Sequence, residues 1–323
     1  MKEIAPIAIL LMLVFFLSTA FSNDYLYYAY TSQEDLGFSQ QMVSDTTGKD
    51  DYSKQSDTLL KSGYAPVNGL KMYFEIYGSG EPLILLHGSH ATIKTTWGSM
   101  IPAFAKNHQV IAVELQGHGH TADIDRPITC EAMAEDIAAF MKYLNIPQAD
   151  LMGYSMGSGV ALNVALKHPK LVRRLVLLSP VYNSVGIQAD YWPMLPKVTP
   201  EIFEGSPVKQ EYDRVNPNPK NWPTLAAKLK TIYPKGFDWK AKNLKAIKSP
   251  VMVVVGDADM VRPEHAVEMF RLFGGGQFGD LNGLPNSQLA ILPATGHVGI
   301  LFRTEWLLAM IPVFLDSNTS TSK

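Results

Sequence analysis

Short, unbroken apolar runs recur along this chain. Leu83 to Leu86, Val110 to Val113, Leu151-Met152, Leu175 to Leu178, Val251 to Val255 and Leu289 to Leu292 contain no polar residue. A strand that is apolar on both sides suits a parallel sheet covered on both faces. Leu70 to Tyr77 instead alternates, as a half-buried strand does, and Gly78-Ser79-Gly80 follows it as a turn. Helical spacing fills the intervals. Met133, Ile137, Phe140, Met141 and Leu144 share one face of a helix that Thr129 would cap. Val160, Val164 and Leu166 continue the pattern, then Ala266, Met269 and Phe270. Leu307, Met310, Ile311, Phe314 and Leu315 mark a last helix, which Pro312 is expected to kink or shorten. Alternating strands and helices predict an α/β fold with a doubly wound, mostly parallel sheet over residues 64–316.

Residues 181–248 break the alternation. They are rich in proline and aromatics, with Trp192, Trp222 and Trp239 among them, and carry no strand pattern. The expectation is a lid inserted over the C-terminal edge of the sheet, where open α/β folds bind ligands. Its aromatics would pack against the main domain and roof a substrate. Upstream, Lys2 and the apolar run Ile4 to Leu17 precede Ala20-Phe21-Ser22, small residues at the −3 and −1 positions of a cut before Asn23. Residues 1–22 therefore read as a signal peptide and the protein as exported. An uncleaved tether is the alternative, although the run is short for a spanning helix and contains Pro6. Residues 23–63 read as a flexible spacer and 317–323 as a tail.

Hydrophobic residues make up 46% of the chain and charged ones 18%, with a formal net charge of −2. That balance offers no basic surface for nucleic acid. Once a signal segment is removed, nothing suggests stable insertion in a membrane. Cys130 is the single cysteine, so no internal disulfide is available, and it reads as a buried small residue at a helix start.

The candidate chemistry begins at Gly153-Tyr154-Ser155-Met156-Gly157, between an apolar strand and a helical stretch. A serine at such an apex is strained, needs small neighbours, and presents Oγ above the sheet. A serine hydroxyl needs a base, and the base needs a carboxylate to orient it. His297, in a glycine-containing loop after the last apolar strand, is the candidate base. Asp259 is the candidate acid, with Asp257 kept as the alternative or as a brace of the turn. The Met156 N–H is one candidate oxyanion donor. The other is Ser89, in the His87-Gly88-Ser89-His90 loop after the first parallel strand. His87 is expected to brace its loop, and His118 and His120 to have structural or substrate-contact roles.

Five loops in order carry a resemblance: His87-Gly88, Gly117-His118-Gly119, Gly153 to Gly157, Gly256 to Asp259 and Gly296-His297. Together they resemble the α/β-hydrolase superfamily, within it the small esterase, enol-lactonase and cofactor-free haloperoxidase-like group. Glu114 departs from the aspartate common before the Gly-His-Gly loop, with an effect expected on loop packing. The resemblance implies a serine hydrolase acting on a small-molecule ester or lactone. There is no HExxH, paired CxxC or Walker loop, so no metal or cofactor is expected. Two alternatives stand beside it. The same triad could cleave another bond, as a C–C hydrolase, aminopeptidase or perhydrolase, or the fold could bind a small ligand without turnover.

Overall fold

The computed structural model describes residues 59–317. Eight strands form one sheet in the order β1-β2-β4-β3-β5-β6-β7-β8. They are β1 (Leu59–Val67), β2 (Leu70–Tyr77), β3 (Glu81–Leu86), β4 (His108–Val113), β5 (Ala149–Tyr154), β6 (Val172–Leu178), β7 (Val251–Ala258) and β8 (Gln288–Gly296). β1 and β2 are antiparallel, β2 joins β4 antiparallel, and every pairing from β4 to β8 is parallel. Along β3, Leu83 and Leu85 face one side of the sheet and Ile84 and Leu86 the other, all four fully buried. This is why the inner strands read as continuous apolar runs.

The longer helices are α1 (Cys130–Tyr143), α2 (Met156–Lys167), α3 (Pro207–Val215), α4 (Trp222–Leu229), α5 (Pro263–Leu272) and α6 (Thr304–Asp316). α1, α2 and α5 cover one face; α6 and the short helices Ile93–Trp97 and Ile101–Phe104 cover the other. Thr129 caps α1 by accepting the Ala132 N–H, and Cys130 is buried beneath that cap.

Two expectations are corrected. The ordered domain starts at Leu59 at the latest, inside the span assigned to the spacer. β1 is an edge strand whose first residues are exposed, so no alternation marks it. Its register is set by the two-residue turn Asn68-Gly69 with φ of 48° and 86°, the left-handed pair that hairpins favour. In addition, α6 is not shortened at Pro312: it runs four residues past it. Phe314 and Leu315 are each 1% exposed. Burying them stabilises the last turn by about 3–6 kcal/mol, enough to offset the ~3 kcal/mol cost of an interior proline. Residues 1–58 and 318–323, with the expected signal segment and most of the spacer and tail, lie outside the described residues.

Residues 181–248 fold as short helices and turns, including α3 and α4, and an isolated Asn183–Asp238 bridge ties their two ends. They rest on the loops after β3 and β4. Asn216 donates to the Gly119 carbonyl at 2.8 Å, Lys228 pairs with Asp123 at 2.6 Å, and Trp222 packs on His90. Trp222 is buried and also packs against Phe203 and Tyr212, while the half-buried Trp239 packs against Tyr233 and Phe237 and donates its Nε1–H to Glu131 of α1 at 2.6 Å. These two tryptophans pack the insertion together and against the main domain.

Candidate active site

β5 ends at Tyr154 and α2 begins at Met156, leaving Ser155 alone to reverse the chain. It does so at φ 51° and ψ −113°, a conformation costing about 1–3 kcal/mol at a non-glycine residue. The turn is possible because both flanking glycines lack side chains. A Cβ on Gly153 would overlap the Gly157 carbonyl, and one on Gly157 would overlap the carbonyl oxygens of Leu86 and His87. The end of β6 secures the turn. The Leu178 carbonyl accepts the Ser155 N–H at 2.9 Å and the Ser158 hydroxyl at 2.7 Å, and Ser158 also reaches Gly153 at 2.6 Å.

His297 follows β8, and its Nε2 lies 2.9 Å from Ser155 Oγ. Its Nδ1 lies 2.7 Å from Asp259 Oδ1. Asp259, just beyond β7, has a side chain with no solvent exposure, whereas the His297 side chain is 19% exposed. Burial alone would push the Asp259 carboxyl up. The neighbouring His297, the Ser179 hydroxyl and the Val261 N–H outweigh it and hold the carboxyl below its ordinary range. Asp257 faces elsewhere. Its carboxylate accepts the backbone N–H groups of Ala294 and Thr295 at 3.0 and 3.1 Å. It therefore clips β7 to the segment that delivers His297, the bracing role held open for it. Tyr154 adds a second clip, its hydroxyl donating to the His297 carbonyl at 3.0 Å.

The N–H of Met156 opens α2 and so has no acceptor within the helix. The contact of Gly157 with Leu86 and His87 brings the Ser89 loop against that helix start. Two buried imidazoles hold this loop. His87 places Nδ1 2.7 Å from the Gly88 carbonyl, and its Nε2 accepts the Leu115 N–H at 3.1 Å. His118 mirrors it from the facing loop, with Nδ1 2.9 Å from the Gln116 carbonyl and Nε2 accepting the His90 N–H at 3.3 Å. Each Nε2 can accept only while its ring is neutral. Burial keeps both neutral, lowering His87 to about 3 and His118 to about 4. His120 lies farther out, stacked on Tyr73 with Nδ1 2.8 Å from Glu114. That hydrogen bond raises its pKa. Glu114 thus acts on loop packing and stands apart from the serine.

The structure brings Ser155, His297 and Asp259 into one hydrogen-bonded line and sets Met156 and the Ser89 loop beside the serine. Sequence reasoning missed Ser179, whose Oγ donates to Asp259 Oδ2 at 2.5 Å, and Tyr154. Tyr154 fills a variable position of the Gly153–Gly157 motif and Ser179 carries no motif; the only hint at Ser179 is that it borders an apolar strand. Among the described residues, no group of three or more His, Cys, Asp or Glu side chains is placed to hold a metal ion, and no helix is long and apolar enough to cross a membrane.

A family model described as alpha/beta hydrolase fold matches residues 81–207. Pyrrolizixenacetamide deacetylase of Xenorhabdus hominickii is 24% identical over 277 residues, spanning 78% of this chain and 97% of that protein. The 2-hydroxy-6-oxo-6-(2'-aminophenyl)hexa-2,4-dienoic acid hydrolase of Metapseudomonas resinovorans is 30% identical over 146 residues, 44% of this chain and 50% of that protein. Among solved structures, a carboxylesterase from Bacillus subtilis superposes with a TM-score of 0.62 at 19% identity, covering 82% of this chain and 95% of its own. With the parallel sheet, the serine elbow after β5 and the carboxylate and histidine after β7 and β8, these similarities show that the chain has the α/β-hydrolase fold.

Proposed function

We propose that this chain is a serine hydrolase that cleaves a small carboxylic ester or lactone through an acyl-enzyme. The observation that carries the reading is the line from Ser155 Oγ through His297 to Asp259, at 2.9 and 2.7 Å. Ser155 Oγ bonds to the carbonyl carbon while its proton passes to His297 Nε2. Asp259 holds the Nδ1–H and stabilises the imidazolium. The Met156 and Ser89 N–H groups receive the oxyanion, each donor contributing about 3 kcal/mol to the transition state. Collapse expels the alcohol oxygen, which takes the proton from His297. Water then gives a proton to His297 and attacks the acyl carbon, and Ser155 recovers its proton as the acid departs.

The deacetylase relative supports acyl transfer, since its name describes removal of an acetyl group. The test is hydrolysis of short p-nitrophenyl esters by wild type beside Ser155→Ala. Activity lost in the variant supports the reading; equal activity in both, or none in either, removes it. A second reading is favoured by the dienoic acid hydrolase relative. A 2-hydroxy-6-oxo-dienoic acid has no ester or amide bond to hydrolyse, so its cleavage breaks a carbon–carbon bond. Turnover of such a dienoate in preference to esters would select it. The proposal includes export, with residues 1–22 as the removed signal or, failing removal, as a membrane tether. N-terminal sequencing of the fractionated protein separates the two.

A further inference from the structure

We propose that Ser179 is a positioning residue for the Ser155–His297–Asp259 line, fixing the second oxygen of Asp259 from the end of β6. The inference rests on the serine-hydrolase reading above. Ser179 is 2% exposed and follows β6 directly. Its backbone is tied to β7 by its N–H, which bonds the Val254 carbonyl at 2.8 Å. Its Oγ donates to Asp259 Oδ2 at 2.5 Å. The other oxygen, Oδ1, faces His297 Nδ1 and also accepts the Val261 N–H at 3.0 Å. The Ser179 hydroxyl therefore sets the plane of the carboxylate: without it, Oδ2 is buried with an unmet need and the group is free to turn away from the imidazole.

The backbone strengthens the case. Ser179 sits at φ 53°, which glycine adopts without strain and serine does not. What the serine adds in return is the hydroxyl. The residue before it acts on the other end of the line, since the Leu178 carbonyl accepts both the Ser155 N–H and the Ser158 hydroxyl. Two consecutive residues at the end of β6 thus hold the nucleophile's turn and the carboxylate's plane together.

Ser179→Gly and Ser179→Ala test this as a pair. Both delete the hydroxyl, while only glycine also removes the backbone strain. Each is expected to lower kcat about tenfold or more with KM little changed, the scale of a lost hydrogen bond to a charged group. The low-field proton resonance of His297 Nδ1–H should move upfield or broaden in both. Ser179→Gly should keep or raise the Tm, which separates the effect from damaged folding. A resonance unchanged in Ser179→Gly overturns the proposal whatever happens to the rate, and so does a kcat within twofold of wild type. The resonance is read without turnover, so it tests Ser179 even where no ester is cleaved and the hydrolase reading has failed.

Discussion

Lowering the pH from 7 to 5 should remove much of this protein's stability, because four imidazoles must stay neutral in the native state. His87, His118 and His265 are 0%, 1% and 5% exposed, and the His90 ring packs against Phe203 and Trp222. Burial depresses His87 and His90 to about 3 and His118 and His265 to about 4, and at His265 a nearby Glu268 carboxylate offsets only part of that. An unfolded histidine takes its proton near 6.5. Below that pH the unfolded chain gains protons that the native one refuses, so stability falls until the native rings titrate near pH 4. Each ring contributes about 1.4 kcal/mol per pH unit. From 6.5 to 5 that is about 2 kcal/mol each and about 8 together, against a typical total of 5–15 kcal/mol. His120 has a raised pKa, so its stabilisation is complete below 6.5 and does not steepen the loss. Asp259 has a lowered one, so its share is lost only below about 4. Urea unfolding followed by tryptophan fluorescence at pH 7.5, 6.5, 5.5 and 5.0 measures the slope. His265→Gln offers an amide oxygen to the Tyr182 N–H, which His265 Nε2 accepts at 3.3 Å, and should flatten the slope by about a quarter. Stability that is level between pH 7 and 5 would refute the neutral-imidazole clamp.

The two aspartates after β7 should separate cleanly. Asp259→Asn should lower kcat by about four orders of magnitude, because the imidazole loses its orienting carboxylate. Asp257→Ala should mainly lower the Tm, because the Ala294 and Thr295 N–H groups lose their acceptor; ester kinetics and a melting curve on each variant check this. Ser155→Gly should abolish ester hydrolysis yet stabilise the fold by about 1 kcal/mol, since glycine relieves the turn. Calorimetry on the inactive variant reads that gain. Glu114→Gln should lower the His120 pKa while leaving kcat near wild type, which histidine proton shifts and the ester assay test together.

The fold was legible wherever burial was two-sided. β3 through β7 could be read from composition alone because a parallel strand covered on both faces has no polar phase to hide. The same logic fails at the sheet's edge. β1 exposes most of its side chains and lacks alternation, so its first five residues resemble spacer; the Asn68-Gly69 pair was the available signal for its hairpin. Pro312 misled for a related reason. Proline's local penalty is visible in sequence, while the burial of Phe314 and Leu315 that outweighs it depends on where α6 lands on the sheet.

At the site, legibility followed chain-local strain. Ser155 announces itself because its turn demands glycines within two residues on either side, and the geometry that demands them is local. Asp259 and Asp257 lie two residues apart at the end of one strand, so local pattern favoured Asp259, farther into the loop, but left Asp257 open. The answer comes from β8, whose Ala294 and Thr295 N–H groups engage Asp257 and leave Asp259 to His297. Ser179 is farther still from legibility, lying 80 residues from the carboxylate it touches. What joins them is the parallel register that sets Leu178 beside Val254. Such a register ends neighbouring strands at one edge, so residues just past the ends of β5, β6, β7 and β8 meet however far apart they lie in the chain. A residue acting through that edge needs no motif of its own. The position directly after each parallel strand is therefore where supporting residues are to be sought when the sequence between strands is silent.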